Sequence, residues 1–162
     1  MKDTLTQYIA LAFIAFAALS CSSCSSTNSF IVVNASRAAL EVSYRVKPPN
    51  VPGASPRMAE RAPETLPVSQ LNSEVAWQPL PASRYTIDAD NRVVVLELNP
   101  DEAVLLTRCR PANDASSGDC QPDDFSIAEI ELAGTNGEMK LSGEQAHKIF
   151  VRNKNTYTLT YY

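Results

Sequence analysis

The 162-residue sequence predicts a single antiparallel β-sandwich, and three observations carry that expectation. Short apolar runs recur through residues 30–162, some alternating with polar residues and some rich in β-branched side chains. Clusters of Asn, Asp, Gly and Pro separate them as turns. Helical periodicity is confined to one short stretch near residues 143–150. Eight or nine strands of this kind suit an all-β sandwich, with an immunoglobulin-like topology first and a small barrel second.

Each element has its own local reason. Phe30-Ile31-Val32-Val33-Asn34 is a continuous, largely β-branched run. From Leu40 to Lys47 apolar and polar residues alternate, which sets Leu40, Val42, Tyr44 and Val46 on one face. Residues 35–39 join the two runs, so an antiparallel hairpin is the economical pairing. Asn34-Ala35-Ser36 within that join matches a glycosylation sequon by chance. Tyr85-Thr86-Ile87, the turn-rich Asp88-Ala89-Asp90-Asn91 and Arg92 to Leu98 read as a hairpin. Asn99-Pro100-Asp101-Glu102 makes the next turn and Ala103 to Cys109 the next strand. Phe125 to Leu132 is another, and its inward set changes phase between Ile127 and Ile130, as a bulge would require. Asn136-Gly137 is the strongest hairpin signal in the chain, and Glu138 to Leu141 is its return strand. Ser142-Gly143-Glu144-Gln145 has the form of a capping box and opens a short helix running to about Phe150. After the turn Asn153-Lys154-Asn155, a final strand sets Tyr157, Leu159 and Tyr161 on one face and Thr156, Thr158 and Thr160 on the other.

Residues 48–81 differ in character. Eight of the eleven prolines fall there, which forbids a regular central strand through most of the stretch. So long a connection inside one domain is either functional or partly ordered. Arg57 to Glu64 suggests a helical turn and Glu74-Val75-Ala76-Trp77 a short strand, with Trp77 plugging the core beneath the loop.

The charge is modest, −4 in all, which argues against nucleic acid as a partner. It is unevenly spread: residues 37–61 hold five basic and two acidic side chains, residues 97–144 three basic and eleven acidic. That pattern describes a solvated acidic face or an acidic docking surface.

The first residues, MKDTLTQYIALAFIAFAALSC, open on Lys2 and pass into an apolar run from Tyr8 to Leu19. The run has the length of a signal-peptide core and is short for a membrane-spanning helix, which needs about 20 residues. Ala18-Leu19-Ser20-Cys21 at its end resembles the lipobox of bacterial lipoproteins, departing from the pattern at Ala18, where Leu is preferred. The resemblance covers residues 1–21 alone. It implies that residues 1–20 are removed and that Cys21, carrying lipid, becomes the first residue; the alternatives are ordinary secretion with cleavage after Ala15-Phe16-Ala17 and an uncleaved anchor. Residues 22–29, Ser22-Ser23-Cys24-Ser25-Ser26-Thr27-Asn28-Ser29, would then be a polar tether beneath a domain beginning at Phe30. In a Gram-negative cell Ser22, rather than Asp, after that cysteine is similar to the outer-membrane sorting signal. The expected address is the cell envelope, with the lipid in the outer membrane and the domain facing the periplasm.

With Cys21 lipidated, Cys109 and Cys120 are the natural disulfide pair in an oxidising compartment. They bracket ten turn-forming residues, 110–119. Cys24 is left over, as a second acylated thiol or a free one.

Chemistry is sparse. The single histidine, His147, falls inside the expected helix without a nucleophile elbow, as a surface or boundary residue. Asp101/Glu102 and Asp123/Asp124 are sequence neighbours at turns, whereas paired glycosidase carboxylates must face each other across a cleft. Asp88-x-Asp90-Asn91 shares the opening of a calcium loop but lacks its glycine and distal glutamate. No metal cluster, phosphate loop or cofactor motif occurs, and no catalytic residue can be named. The composition therefore points to a non-catalytic binding or structural module with an envelope protein as partner. The alternative is an envelope enzyme built on carboxylate, Arg and Tyr side chains. The candidate binding elements are the terminal strand Thr156–Tyr162, if it lies at a sheet edge, and residues 48–81.

Overall fold

Successive side chains of a strand point to opposite faces, so a strand apolar at every second position needs cover on one side only, and a strand apolar throughout needs it on both. The computed structural model describes residues 27–49, 51, 53–54, 60–73, 75–109 and 120–162 and obeys that rule. Its elements are β1 (Asn28–Asn34), β2 (Leu40–Val46), β3 (Glu64–Pro67), β4 (Gln78–Pro79), β5 (Tyr85–Asp88), β6 (Val93–Leu98) and β7 (Glu102–Cys109). They continue with β8 (Ile127–Gly134), β9 (Gly137–Ser142), helix α1 (Gly143–Ile149), β10 (Val151–Asn153) and β11 (Thr156–Tyr161). Two open sheets pack face to face, which is the expected sandwich and not a closed barrel, but it is not antiparallel throughout: the first sheet is mixed, because β1 runs parallel to β11. The first has the order β10-β11-β1-β7-β3-β4 and the second β5-β6-β2-β8-β9.

Between the sheets lies the main core. Phe30 and Val32 of β1 and Tyr157, Leu159 and Tyr161 of β11 meet the inward set of β2, Leu40, Val42, Tyr44 and Val46. Phe30 is wholly buried, stacked on Tyr157 at 4.4 Å between ring centroids and tilted on Phe125 at 4.7 Å.

β1 and β2 do not form the expected hairpin; they lie in opposite sheets. The reason is the composition of β1, whose second face carries Ile31 and Val33 and also has to be covered. β1 therefore sits inside its sheet, parallel to β11 on one side and antiparallel to β7 on the other. The arch to β2 is held by the buried Asn34. Its amide donates to the Ala38 carbonyl at 2.8 Å and the Leu98 carbonyl at 2.9 Å, while its Oδ1 accepts from the Ser36 backbone N–H and hydroxyl. The sequon residue is thus a crossover strut.

The proline-rich stretch supplies the second cover. β3 pairs with β7, and beyond it Val68, Leu71 and the half-buried Trp77 pack over Ile31, Val33, Ala103 and Leu105 on the outer face of the first sheet. Trp77 thus caps the sheet from outside. The short strand is Gln78–Pro79 and not the expected residues 74–77, of which Glu74 lies outside the described residues, because Trp77 turns onto that outer cluster and pairing with β3 begins at Gln78. Of the helical turn expected from Arg57, residues 57–59 lie outside the described residues, and Glu64 belongs to β3.

Other expectations match. β5 and β6 form an antiparallel pair. Opposite Arg45 and Val46 stand Glu129 and Ile127, which leaves Ala128 as the bulged residue. Ser142 caps α1, with both bonds of the capping box present. The domain begins earlier than expected, since Asn28 and Ser29 belong to β1, and Asn28 is buried with its amide donating to Cys120 Sγ at 3.3 Å. β11 is not an edge strand, lying between β10 and β1.

Cys109 and Cys120, both buried, form the expected bridge, with Cα atoms 6.3 Å apart, inside the range of disulfides. Replacing both by Ala should lower stability by about 3 kcal/mol through the freed unfolded chain, measured by urea denaturation. Gly143 opens α1 so close to β8 that a Cβ there would lie 2.2 Å from the Ile127 carbonyl oxygen. Gly143→Ala should destabilise the domain by about 2 kcal/mol, seen as a fall of several degrees in thermal midpoint.

Candidate functional site

A sandwich offers partners its loops and its strand edges, where N–H and C=O groups lack a ladder. Among the described residues the four edge strands are β4 with two residues, β10 with three, β5 with four and β9 with six. β9 is thus the longest edge, and its residues are exposed except for the half-buried Leu141. The local sequence makes it so. Thr135-Asn136 is a two-residue turn closed by the Gly134–Gly137 pair, with Gly137 at φ 119°, where side chains are strained. Tyr161 of the opposite sheet pins this turn: its hydroxyl donates to the Gly137 carbonyl at 2.8 Å and accepts from the Asn136 N–H at 3.1 Å. Counting from the closing pair, an antiparallel ladder turns the backbone groups of Glu138 and Lys140 away from β8.

A lysine on an edge strand usually repels a second strand. Lys140 instead reaches back across the face of β8, its ammonium 3.1 Å from Glu129 and 3.3 Å from Glu131. Hydrogen bonds to those carboxylates hold its pKa above the ordinary lysine range. Met139, 38 % exposed, offers an apolar contact to a strand laid alongside. The edge can therefore accept an extended backbone.

The chemistry-bearing residues are dispersed. Cys21 and Cys24 lie outside the described residues, as do residues 110–119 of the disulfide loop. His147 is half-buried, its Nε2 2.9 Å from the Cys120 carbonyl oxygen and its ring 5.8 Å from that of Phe30. That placement is a packing role. Asp88 accepts from the Asn91 backbone at 3.0 Å and side chain at 2.7 Å, and these bonds hold its carboxyl below the usual range. Asp124 caps its own short turn through Gln121. Among the described residues no group of three or more His, Cys, Asp or Glu side chains is placed to hold a metal ion.

Carboxylate, guanidinium and phenol do meet at a depression of about 250 Å³ lined by Tyr44, Arg61, Glu64 and Arg108. Its groups are poorly suited to turnover: Glu64 is tied to Arg108 at 3.2 Å, and burial pushes the Tyr44 phenol upward, so it stays protonated.

One half-buried pair has no sequence signal. Arg84 binds Glu102 through both terminal nitrogens and donates to the Glu97 carbonyl at 2.7 Å, while Glu102 also accepts from the Asn99 N–H at 2.8 Å. This knot ties the β6–β7 crossover to the start of β5. Comparison with family models, curated proteins and solved structures finds no match to this chain.

The bond from Arg84 holds the Glu102 carboxyl below the usual range. A carboxyl depressed on folding adds stability above its unfolded pKa and loses it as pH falls through the folded value. Glu102→Gln should cost about 2 kcal/mol at neutral pH. Denaturation curves of the two proteins should converge as the pH is lowered through that range.

Proposed function

We propose that this chain is a lipid-anchored, non-catalytic binding module of the bacterial cell envelope that captures an extended segment of another envelope protein on β9. The observation that carries the reading is the edge itself: six residues, exposed, pinned at the turn by Tyr161, and with its lysine drawn back onto β8. A strand added there gains main-chain hydrogen bonds, and alternate side chains read its sequence. The lipobox-like residues ending at Cys21 support the anchor, and Ser22 supports an outer-membrane address with the domain facing the periplasm. An immunoglobulin-like plan belongs to this reading only as two packed sheets with loops gathered at their ends. In that plan the first two strands share a sheet, whereas β1 and β2 are divided.

The alternative, an enzyme using carboxylate, Arg and Tyr, has its seat at the depression beside Tyr44. Loss of a chemical activity on Glu64→Gln in a folded protein would favour it.

Lys140→Pro removes an outward N–H while leaving the β8 ladder intact. It should weaken capture of the envelope partner by about tenfold. The readout is photo-crosslinking in intact cells from a probe at Glu138, with a probe at Thr86 on β5 as control and circular dichroism to establish folding. Adducts from Thr86 but not Glu138 would refute the β9 assignment. Cys21→Ala should abolish acylation and release the protein from the membrane fraction without altering the melting of the domain.

A further inference from the structure

The way the chain enters β1 has an electrostatic setting. Asn28 is buried, so the segment between Cys21 and the domain is residues 22–27, six in all. Such a segment reaches no more than about 25 Å when fully extended. The end of the sandwich where β1 starts must then lie close to whatever holds Cys21. At that end β1 abuts the β10–β11 turn, where the Ser29 N–H donates to the Asn155 carbonyl at 2.9 Å. Lys154 stands exposed in the turn with φ 53°. Arg152 lies beside it, its Nε donating to the Lys154 carbonyl, and Arg108 faces Ser29 from β7. Lys148 is paired with Glu144 and Arg108 with Glu64, so the basic residues of the turn itself are Arg152 and Lys154.

The opposite end holds Arg37 in its arch and several carboxylates. Glu41 and Glu97 stand directly across from each other there, with Asp101 and Glu138 on neighbouring strand ends. The basic character at the tether end is local to the β10–β11 corner, since Asp88 and Asp90 in the β5–β6 turn and Asp123 and Asp124 after Cys120 stand at the same end of the sandwich. Beside Lys154, on the outer face of the first sheet, opens a depression of about 440 Å³ lined by Asn72, Asn153, Thr156 and Thr158 and by the apolar Ile31, Val68 and Leu71. Lysine, asparagine and threonine are among the residues around it, and their side chains are donors of the kind a phosphate ester takes.

We propose that the β10–β11 turn, with Arg152, Lys154 and the adjoining hollow, is a surface that lies against the anionic headgroups of the bilayer carrying the Cys21 lipid. The proposal rests on the lipid anchor of the reading above. Short-range attraction between basic side chains and an anionic leaflet acts within a Debye length, and the tether keeps the turn within reach. The sandwich then stands with its other end, the Asn34–Ala38 arch and the Thr135-Asn136 turn, facing away from the membrane.

The test uses the full-length lipidated protein in vesicles of phosphatidylethanolamine with phosphatidylglycerol, and in vesicles of phosphatidylcholine alone. A photo-crosslinking residue is placed at Asn155 or, at the far end, at Arg37. Asn155 should crosslink to phospholipid and Arg37 should not. The Asn155 yield should fall at least about fivefold on phosphatidylcholine and with the double charge reversal Arg152→Glu, Lys154→Glu. Equal yields on the two vesicle types, indifference to the charge reversal, or equal crosslinking from Asn155 and Arg37 would overturn the surface while leaving the anchor standing. Absence of a lipid adduct on Cys21 by mass spectrometry would overturn the anchor, and the surface with it.

Discussion

β1 is apolar on both of its faces, and the requirement to cover it twice organises the molecule. Phe30 and Val32 must meet one apolar layer and Ile31 and Val33 another. An antiparallel hairpin with β2 would supply a neighbour but no lid. The chain instead leaves the sheet through the Asn34 arch, lays β2 across the inner face, and returns with the proline-rich stretch across the outer one. Burial of this kind contributes about 25 cal/mol for each Å² of apolar surface, far more than the turn geometry that a hairpin would have satisfied. Local economy loses to packing.

This is also why the sequence was readable strand by strand and misleading about pairing. Alternation in β2 and β11, the Ala128 bulge, the turn before Gly137 and the Ser142 cap are local patterns, each dictated by residues within one or two turns of chain. Pairing is a long-range property. Nothing near Phe30 announces that its neighbours are Tyr157 and Thr107. Prolines in residues 48–81 were correctly incompatible with a long strand, yet Val68, Leu71 and Trp77 show that such a segment can still be a lid when it offers a few large apolar side chains.

The candidate site was legible only as an element. Residues 138–141 read as the return strand of a hairpin, but whether a strand is an edge depends on the order of the whole sheet. β11, the last strand, is enclosed, while β9 is bare because α1 carries the chain from one sheet to the other immediately after it. The Arg84–Glu102 knot was invisible for a similar reason: its partners lie 18 residues apart and meet only because β6 and β7 occupy opposite sheets.

The parallel ladder between β1 and β11 has a kinetic meaning. Val32 is registered against Leu159, so the first strand of the domain finds one of its two neighbours only when nearly all of the chain is present. Contacts so distant in sequence demand closure of a very long loop before they return any stabilisation, which places folding among the slow, high-contact-order class. The core between the sheets needs Tyr157, Leu159 and Tyr161, so a chain lacking β11 leaves Phe30 and its surroundings uncovered. Folding of the first sheet therefore waits on β11, and until that strand docks the apolar faces of β1 stay open to other contacts.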